Sequence, residues 1–321
     1  MAQVMTVCGP ISPDELGFVL PHEHIFIDLT AFPGGITLGG LDGIIDPVRH
    51  MEIMIEEVRA YQQAGGNSIV DVTCRNMGGD VRALKRVSET TGVHIVAGCG
   101  WYRESYMDHD LYYRSTDELA EELIREIEQG LGDSGLRPGI LGEIGIEYSH
   151  YHLSAKEERC LRAMAKAQRR TGLAITTHLP KAGVAFEVLD VLGEYGVPPD
   201  RVIVGHSDVY KDAAYHAALM DRGAYVQYDN IGSSLDAPRG ERELLDLIVK
   251  LVRGASSKGR RYTQRILLSH DICYRSHLRH YQGRGFDYLA TRFLPQLRER
   301  GLGDEEIHTM TVENPRRVLS V

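Results

Sequence analysis

Short runs of apolar and β-branched residues recur along this chain and are separated by longer segments that mix apolar with charged positions. Several runs follow a glycine, as at Gly66, Gly92 and Gly172, and end at a polar residue. Each run has the length of a strand. Eight such runs occur, at 16–20, 67–73, 93–102, 140–146, 173–178, 201–208, 223–229 and 265–271.

The segments between the runs predict helices. In the first of them Met51, Met54 and Val58 recur at three- and four-residue spacing, with charged residues between them, which indicates one apolar face. The pair Gly65 and Gly66 then ends the helix. Predicted helices span 47–64, 80–90, 115–130, 155–171, 182–195, 211–222, 240–253, 288–301, 305–310 and 314–321.

Strands that alternate with helices are typical of a parallel sheet with crossover connections. Eight such units, without a linker or a change of composition, predict one closed (β/α)8 TIM barrel, a single α/β domain over residues 1–321. The alternative is an open doubly wound sheet, which usually has a glycine-rich phosphate turn after its first strand. No G-x-G-x-x-G sequence follows the first run. Residues 4–11 and 15–20 predict a short entry hairpin that leads into the first barrel strand, and 30–41 predict a glycine-rich loop.

The composition narrows the class of protein. A hydrophobic content of 43% with 25% charged residues is typical of a folded globular domain, and no apolar run reaches the roughly 20 residues that span a bilayer. The net charge of -9 disfavours nucleic acid as a partner. Five cysteines without a Cys-x-x-Cys pair disfavour a disulfide framework, and the first residues lack a leader pattern, so we expect a cytoplasmic protein with no membrane partner.

Imidazole and carboxylate groups stand at the ends of the predicted strands. His22 and His24 flank Glu23, so in extended backbone the two imidazoles share one face. Reactive groups of a (β/α)8 barrel lie at the carboxyl ends of its strands, which predicts that the polar strand ends meet at one rim. The six residues are His22, His24, Glu143, His178, His206 and Asp271.

This set is larger than one metal ion needs, because a single catalytic ion takes about three protein ligands. Two divalent ions bridged by a carboxylate would use all six residues, and neutral imidazole suits zinc and related ions. A His-x-His sequence alone also fits a hydrogen-bonded surface pair. The recurrence of imidazoles at later strand ends favours the metal centre.

The order of these residues on successive strands resembles the amidohydrolase superfamily, and specifically its phosphotriesterase family. The resemblance extends over nearly the whole chain. The C-terminal part is similar to the phosphotriesterase homology branch of that family. The residues that carry this similarity are 269–272, Leu278, Tyr281, Gly283, Gly285, Phe286 and 313–315.

The resemblance implies a role for each strand-end residue. His22, His24 and Asp271 would hold the more buried of two ions, and two further histidines, His178 and His206, the more exposed one. Many family members place a carbamylated lysine between the ions. Residues 140–146 contain no lysine, so the chain resembles a subgroup in which Glu143 takes that place. Glu147 is the alternative bridging residue.

The implied activity is metal-dependent hydrolysis. Zn²⁺ is the leading choice for the two divalent ions, with Mn²⁺, Co²⁺ or Fe²⁺ as alternatives. A hydroxide held between the ions would attack the carbonyl of a lactone, carboxylic ester or N-acyl amide, and Asp271 would accept its proton as the catalytic residue. The resemblance also suggests a homodimer. The alternatives are an organophosphate triester hydrolase, a metal-containing binding protein without turnover, and a mononuclear deaminase.

Contacts to a small-molecule substrate are predicted just beyond the strand ends. Aromatic side chains there would pack an acyl chain or a ring, and a basic cluster after the eighth strand would bind an anionic group of the substrate. The alternative for the basic cluster is a solvated loop face. The predicted substrate-binding residues are Trp101, Tyr102, Tyr228, Arg275, His277 and Arg279, with His280 beside them.

The remaining histidines and cysteines have plainer interpretations. His94 lies within an apolar run and is predicted to be a core residue, and His270 should face away from Asp271 and support the barrel wall. Cys99 and Cys273 are predicted to pack near the mouth without a catalytic base. Surface positions are predicted for His50, His109, His150, His152, His216 and His308.

Overall fold

A parallel eight-stranded sheet forms the centre of the computed structural model, which describes residues 2–30, 40–233, 238–254 and 259–321. Two antiparallel two-stranded pairs accompany it. The strands are β1 (Val4–Thr6), β2 (Gly9–Ile11), β3 (Val19–Glu23), β4 (Ile27–Asp28), β5 (Ile44–Ile45), β6 (Ser68–Asp71), β7 (His94–Cys99), β8 (Ile140–Gly145), β9 (Ile175–His178), β10 (Val202–Val204), β11 (Tyr225–Tyr228) and β12 (Ile266–Leu268).

Each barrel strand from β3 and β6 onward pairs in parallel with the next one along the chain. A helix crosses between most neighbouring strands, as parallel pairing requires. The helices are α1 (Pro47–Gln63), α2 (Val81–Thr91), α3 (Thr116–Gln129), α4 (Ala155–Thr171), α5 (Val184–Glu194), α6 (Ala213–Asp221), α7 (Pro238–Arg253), α8 (Leu294–Glu299), α9 (Asp304–His308) and α10 (Asn314–Leu319).

The seam between β3 and β12 closes the barrel through side chains as well as backbone. The amide of His22 donates to Ser269 Oγ at 3.0 Å, and the amide of Asp271 donates to the His22 carbonyl at 3.2 Å. The buried Glu23 carboxylate accepts hydrogen bonds from the amides of His270 and Ile272 at 2.8 and 2.9 Å. Because a buried carboxylate needs such donors, the first and last strands are held in one register.

Alternate strand residues face two different cores. In β6, Ile69 belongs to the large apolar cluster between sheet and helices, while Val70 belongs to a smaller cluster. That smaller cluster includes Val4 from the entry hairpin and Val318 from α10. Terminal segments therefore pack together with one set of strand side chains, and Gln3 and Val321 exchange backbone hydrogen bonds of 2.8 and 3.0 Å.

Capping residues and glycines in the sequence determine where several helices begin and end. Ser115 caps α3 in a reciprocal arrangement with Glu118, and Asp80 accepts from two amides at the start of α2. Gly92 and Gly172 end α2 and α4 with φ of 76° and 78°, a left-handed conformation that favours glycine. These caps explain why most predicted helix boundaries lie within two residues of the observed ones.

The predicted (β/α)8 barrel is confirmed. Of the predicted entry hairpin, residues 4–11 form the β1–β2 hairpin by themselves, and residues 15–20 do not join it. A short 3-10 turn at Pro13–Glu15 follows β2, and the first barrel strand begins only at Val19. Most of the predicted loop at 30–41 lies outside the described residues. Among the described helices none is both long and apolar enough to cross a membrane.

Candidate metal centre and active-site cavity

Side chains from the carboxyl ends of five barrel strands meet in one cluster. Their ligand atoms form three overlapping groups of three, and within each group these atoms lie within 4.8 Å of one another. The cluster contains all of the predicted strand-end residues. Its members are His22, His24, Glu143, His178, His206 and Asp271.

His22 and His24 reach the cluster because they lie two residues apart at the end of β3. Their ring centroids are 5.7 Å apart, and the Nε2 atoms each lie 3.4 Å from a different oxygen of Glu143. Asp271 Oδ1 is 3.3 Å from His24 Nε2 and 3.9 Å from His22 Nε2. Glu23 between the two histidines faces the seam instead, as strand alternation requires.

Glu143 lies at the centre of the four imidazoles. Its Oε2 atom is 3.3 Å from His178 Nδ1 and 3.8 Å from His206 Nε2, in addition to its approach to His22. Burial would raise the pKa of this carboxyl, but the adjacent His22 and His178 imidazoles hold it well below its usual value. Glu143 is therefore a buried carboxylate anion surrounded by nitrogen ligands.

The alternative bridging residue, Glu147, lies outside this cluster. Its Oε1 accepts a hydrogen bond of 2.7 Å from the Arg103 guanidinium, and its other oxygen accepts one of 3.3 Å from the Ser105 amide. A carboxylate already paired in this way is turned toward the loop after β7. Of the two glutamates, Glu143 has the position that a bridging ligand needs.

The cluster has the polar atoms that a metal ion would satisfy. His22 Nε2 and Glu143 Oε2 are buried and have no hydrogen-bond partner among the described residues. His178 Nδ1 and His206 Nε2 approach each other to 2.5 Å with their rings nearly perpendicular. Unsatisfied buried polar atoms are costly, and a mixed imidazole and carboxylate set suits divalent transition metals. The residues present thus fit one or two such ions.

A second set of polar groups orients the imidazoles. Thr73 Oγ1 lies 2.9 Å from His24 Nδ1. The Asp229 carboxylate lies 2.7 Å from His206 Nδ1 and 3.2 Å from His22 Nδ1. A proton held on Nδ1 of His24 and of His206 leaves each Nε2 lone pair free to face the centre of the cluster, which is how outer groups commonly orient metal-binding histidines.

His206 and Asp271 adopt left-handed backbone conformations, with φ of 51° and 55°. Such conformations of non-glycine residues cost on the order of 1–3 kcal/mol each and persist where surrounding contacts impose them. The amide of His206 donates to Asp229 at 3.0 Å, and that of Asp271 to the His22 carbonyl at 3.2 Å. Arg284 donates to the His270 carbonyl at 2.5 Å. The strand ends are thereby bent so that both side chains enter the cluster.

We expect Asp229→Asn to weaken metal binding about 10- to 100-fold, the range typical for loss of an outer-shell partner. Burial would raise the pKa of Asp229, but His206 and His22 lower it, so the native group is an anion that accepts from the His206 imidazole and lies 3.2 Å from His22 Nδ1. An asparagine presents only one acceptor and no charge. Competition with a chelator measures the affinity.

Glu57→Gln is the matched control, because Glu57 is also a buried carboxylate and accepts from the His280 amide at 2.8 Å on the outer side of the barrel. It should leave the metal affinity unchanged. An Asp229→Asn variant whose affinity stays within about threefold of the native protein would show that Asp229 does not orient the ligands.

Two neighbouring cavities, which share four lining residues, open onto the cluster. The inner one, of about 110 Å³, reaches His24, Glu143 and Asp271. The outer one, of about 520 Å³, reaches His206 and Lys181. Both are lined by Tyr148, Asn230, Ser233 and Asp271. A concave site with a few convergent polar groups is typical of small-molecule binding.

Of the six predicted substrate-binding residues, the structure brings Tyr102 and His277 into the inner cavity lining. The hydroxyl of Tyr102 is 3.3 Å from His178 Nδ1. The pKa of His277 is lowered to about 4, chiefly because the ring is buried and next because the Arg284 guanidinium is near. These two residues remain our proposed substrate contacts.

Two of the predicted aromatic contacts lie elsewhere. Tyr228 points away from the cluster and its hydroxyl lies 3.0 Å from His216 Nδ1 on α6. Strand alternation explains this position, because the neighbours Gln227 and Asp229 both face His22. Trp101 is buried under the Arg75 guanidinium, 5.3 Å from its ring, and lines neither cavity.

The predicted basic contacts are likewise outside both linings. Arg279 is 53% exposed and donates to Asp287 at 2.8 Å, which is the solvated loop face considered as the alternative. Arg275 lies with its guanidinium 5.9 Å from the Tyr281 ring. Both arginines lie on short 3-10 turns after β12, Arg275–His277 and Arg279–Tyr281, and of the residues in these turns only His277 lines one of the two cavities.

Some other histidines also differ from the prediction. His216 and His50 were predicted at the surface and are buried, His216 against Tyr228 and His50 at the start of α1 beside Asp46. His94 is only half-buried because it begins β7. His270 supports the wall as predicted, with Nδ1 3.0 Å from Glu23.

Sequence reasoning missed Asp229, Arg103 and Tyr148. Asp229 could have been found from strand alternation, because it lies two residues after Gln227 on the same face. Arg103 directly follows the aromatic pair after β7 and lines the inner cavity. Tyr148 lies beyond the end of β8, where no periodicity constrains its direction.

Comparisons with known proteins agree with this geometry. The phosphotriesterase homology protein of Escherichia coli (strain K12) is 33% identical over 305 residues, which cover 95% of this chain and 98% of that protein. The N-acetyltaurine hydrolase of Danio rerio is 27% identical, covering 99% and 98%. The crystal structure of a lactonase from Listeria monocytogenes superposes with a TM-score of 0.88 at 25% identity, covering 99% and 98%.

The family model described as "Phosphotriesterase family" matches residues 2–319. The match includes every barrel strand and every residue of the cluster. The chain therefore belongs to the phosphotriesterase family of hydrolases.

Proposed function

We propose that this chain is a binuclear metal-dependent hydrolase that cleaves a small carbonyl compound, an N-acyl amide, lactone or carboxylic ester. The observation that carries the proposal is Glu143, a buried carboxylate within 3.3–3.8 Å of nitrogen atoms of all four imidazoles at the floor of a cavity. A purely structural glutamate in this position would need hydrogen-bond donors, and its Oε2 has none among the described residues.

In this proposal the six residues hold two divalent ions. His22, His24 and Asp271 would bind one of them, and His178 and His206 the other. The remaining carboxylate, Glu143, would bind both. When bound, such ions supply a nucleophilic hydroxide at neutral pH and polarise the carbonyl oxygen of the substrate.

Asp271 is the chain's own proton acceptor. Its Oδ1 lies 3.3 Å from His24 Nε2, and part of the side chain faces both cavities, where a substrate would lie. A carboxylate in this position can take a proton from the attacking nucleophile and deliver it to the departing group, the alkoxide oxygen of an ester or lactone or the amine nitrogen of an amide. Tyr102, Tyr106 and Met77 line the inner cavity and exclude water from the reacting groups.

The named relatives support a carbonyl substrate. N-acetyltaurine hydrolase and the Listeria lactonase are named for an amide and for lactones, and both cover almost the whole chain. The small inner cavity favours a compact acyl group at the cluster, with the rest of the substrate in the larger outer cavity. We propose zinc as the ion, a homodimer as the assembly and the cytoplasm as the location.

Metal-depleted and zinc-reconstituted protein should be compared on an N-acyl amide, a γ-lactone, an aryl ester and an organophosphate triester. We expect about two ions per chain by elemental analysis, hydrolysis of at least one carbonyl substrate, and its loss on depletion. One ion per chain would favour the deaminase-like arrangement. Cleavage of the triester alone, or metal-replete protein inactive on every substrate, would contradict the proposal.

A further inference from the structure

Arg103 is the one permanently charged cation among the described residues that line the inner cavity. It follows Trp101 and Tyr102 after β7, and only 5% of the residue is exposed. Lysine and arginine are rarely this buried unless they have a partner of opposite charge. The partners that Arg103 has therefore decide what else it can bind.

Three tyrosine rings and one carboxylate surround the guanidinium. Its Cζ atom is 5.1 Å from the centroid of the Tyr102 ring, 5.2 Å from Tyr106 and 4.6 Å from Tyr148. Nη1 donates to Glu147 at 2.7 Å. Cation–π contacts of this kind hold a guanidinium in a fixed orientation without using its N–H groups.

The guanidinium still has unused donor capacity. Its Nε atom is buried and has no hydrogen-bond partner among the described residues. Glu147 is bound through Nη1, so the Nε donor is left without a partner in a residue that lines the inner cavity. An oxyanion is the chemical group that best fits such a donor, because guanidinium N–H groups bind carboxylates, sulfonates and phosphates with charge assistance.

Arg103 lies one aromatic ring away from the cluster. The Tyr102 ring, which the guanidinium covers, is 4.8 Å from the His178 ring, and the Tyr148 ring is 5.6 Å from it. A substrate whose reacting carbonyl lies at Glu143 and His178 would thus have its other end against the tyrosine wall and Arg103. That distance suits a compact compound rather than a long acyl chain.

We propose that Arg103 is a specificity-determining residue that selects acyl substrates carrying an oxyanion close to the scissile carbonyl. This inference rests on the proposed hydrolase function. The sequence predicts that the substrate anion binds in the loop after β12, but Arg279 in that loop is exposed. The residue that we propose to bind the anion, Arg103, lies in the loop after β7 instead. The carboxylate of Glu147 orients Arg103 and competes with the substrate anion for it.

The test compares matched anionic and neutral probes. N-acetyltaurine and N-acetylglycine each carry an anion, and the corresponding sulfonamide and primary amide are neutral. We expect Arg103→Met to lower kcat/KM for the anionic probes about 10- to 100-fold, mainly through KM, which is the loss typical of one charge-assisted hydrogen bond. Rates on the neutral probes should change less than threefold, and Arg103→Lys should be intermediate.

Two further variants separate recognition from structural support. Glu147→Gln removes the competing carboxylate and should tighten anionic probes severalfold, whereas a purely structural Arg103–Glu147 pair would weaken both probe types in either variant. Arg279→Met, an exposed arginine outside the cavities, is the control and should leave both probe types unaffected.

Binding of the same probes to metal-reconstituted Asp271→Asn protein, measured by calorimetry, tests anion recognition by Arg103 without any need for turnover. Anionic probes that bind more weakly when Arg103→Met is added, with unchanged neutral probes, support the inference whether or not the hydrolase proposal holds. Equal losses for anionic and neutral probes, or no preference for the anionic probes in the Arg103-containing protein, would overturn it.

Discussion

Asp271→Asn should lower kcat by about 10³-fold while most of the bound metal is retained, within the 10²–10⁴-fold range of general acid–base catalysis. Burial would raise the pKa of Asp271, but the His24 hydrogen bond and the nearby His206 imidazole hold it well below its usual range. The native group is therefore an ionised acceptor. Asparagine keeps the shape and one oxygen ligand but cannot take a proton.

The measurement pairs steady-state kinetics with elemental analysis on the same protein preparation. Asp304→Asn, an exposed carboxylate paired with Arg298 on the outer surface, is the matched control and should change neither quantity. If Asp271→Asn kept near-native kcat on a substrate that the native enzyme hydrolyses, proton transfer would have to be assigned to another group. A parallel loss of metal and of rate would make Asp271 only a ligand.

The barrel was predictable because its signals are local and repeated. Strand-length apolar runs, glycine stops and amphipathic segments each depend on a few neighbouring residues, and eight repetitions of one unit leave few alternative topologies. The cluster was predictable for a related reason. Once parallel strands are assigned, their carboxyl ends meet at one rim, so His178 and His206 could be brought to His22 without knowledge of any distance.

The directions in which side chains point beyond the strand ends were not predictable in the same way. Strand parity places Asp229 in the cluster and Tyr228 outside it, and a count by two residues would have shown this before the structure. Arg279 and Arg103 differ in burial because of tertiary packing. Both are arginines in loops at the mouth of the barrel, but of the two only Arg103 is enclosed by aromatic rings from two different loops. The periodicity of the sequence gives no sign of that enclosure.

The strand ends and the loops around the site thus carry different kinds of functional group. Strand ends carry the groups that we propose to hold metal, and these were predicted from the sequence pattern. Loops carry the groups that we propose to face the substrate, and their positions depend on packing between segments far apart in sequence, such as Tyr102 and Tyr148. Loops commonly carry specificity on a rigid scaffold, so substrate range is the property that a barrel sequence reveals least.

Glu143→Gln should have the largest effect on the centre itself, with loss of at least one of two ions per chain and a fall in kcat/KM of more than about 10³-fold. The substitution keeps the side-chain volume but removes the negative charge that faces four imidazoles. A neutral amide also presents one oxygen where two are needed, and its NH₂ group would point at a ligand nitrogen or at a cation. Elemental analysis after dialysis, followed by kinetics, measures both losses.

Glu147→Gln provides the opposing control for metal content, because Glu147 is the other glutamate of the strand-end segment and pairs with Arg103. It should retain the full number of ions. Thermal denaturation adds an independent readout: metal that binds only the folded chain stabilises it by mass action, so Glu143→Gln protein should gain less melting temperature than the native protein when zinc is added. A Glu143→Gln variant that keeps two ions, or a Glu147→Gln variant that loses them, would mean that the bridging carboxylate has been assigned to the wrong residue.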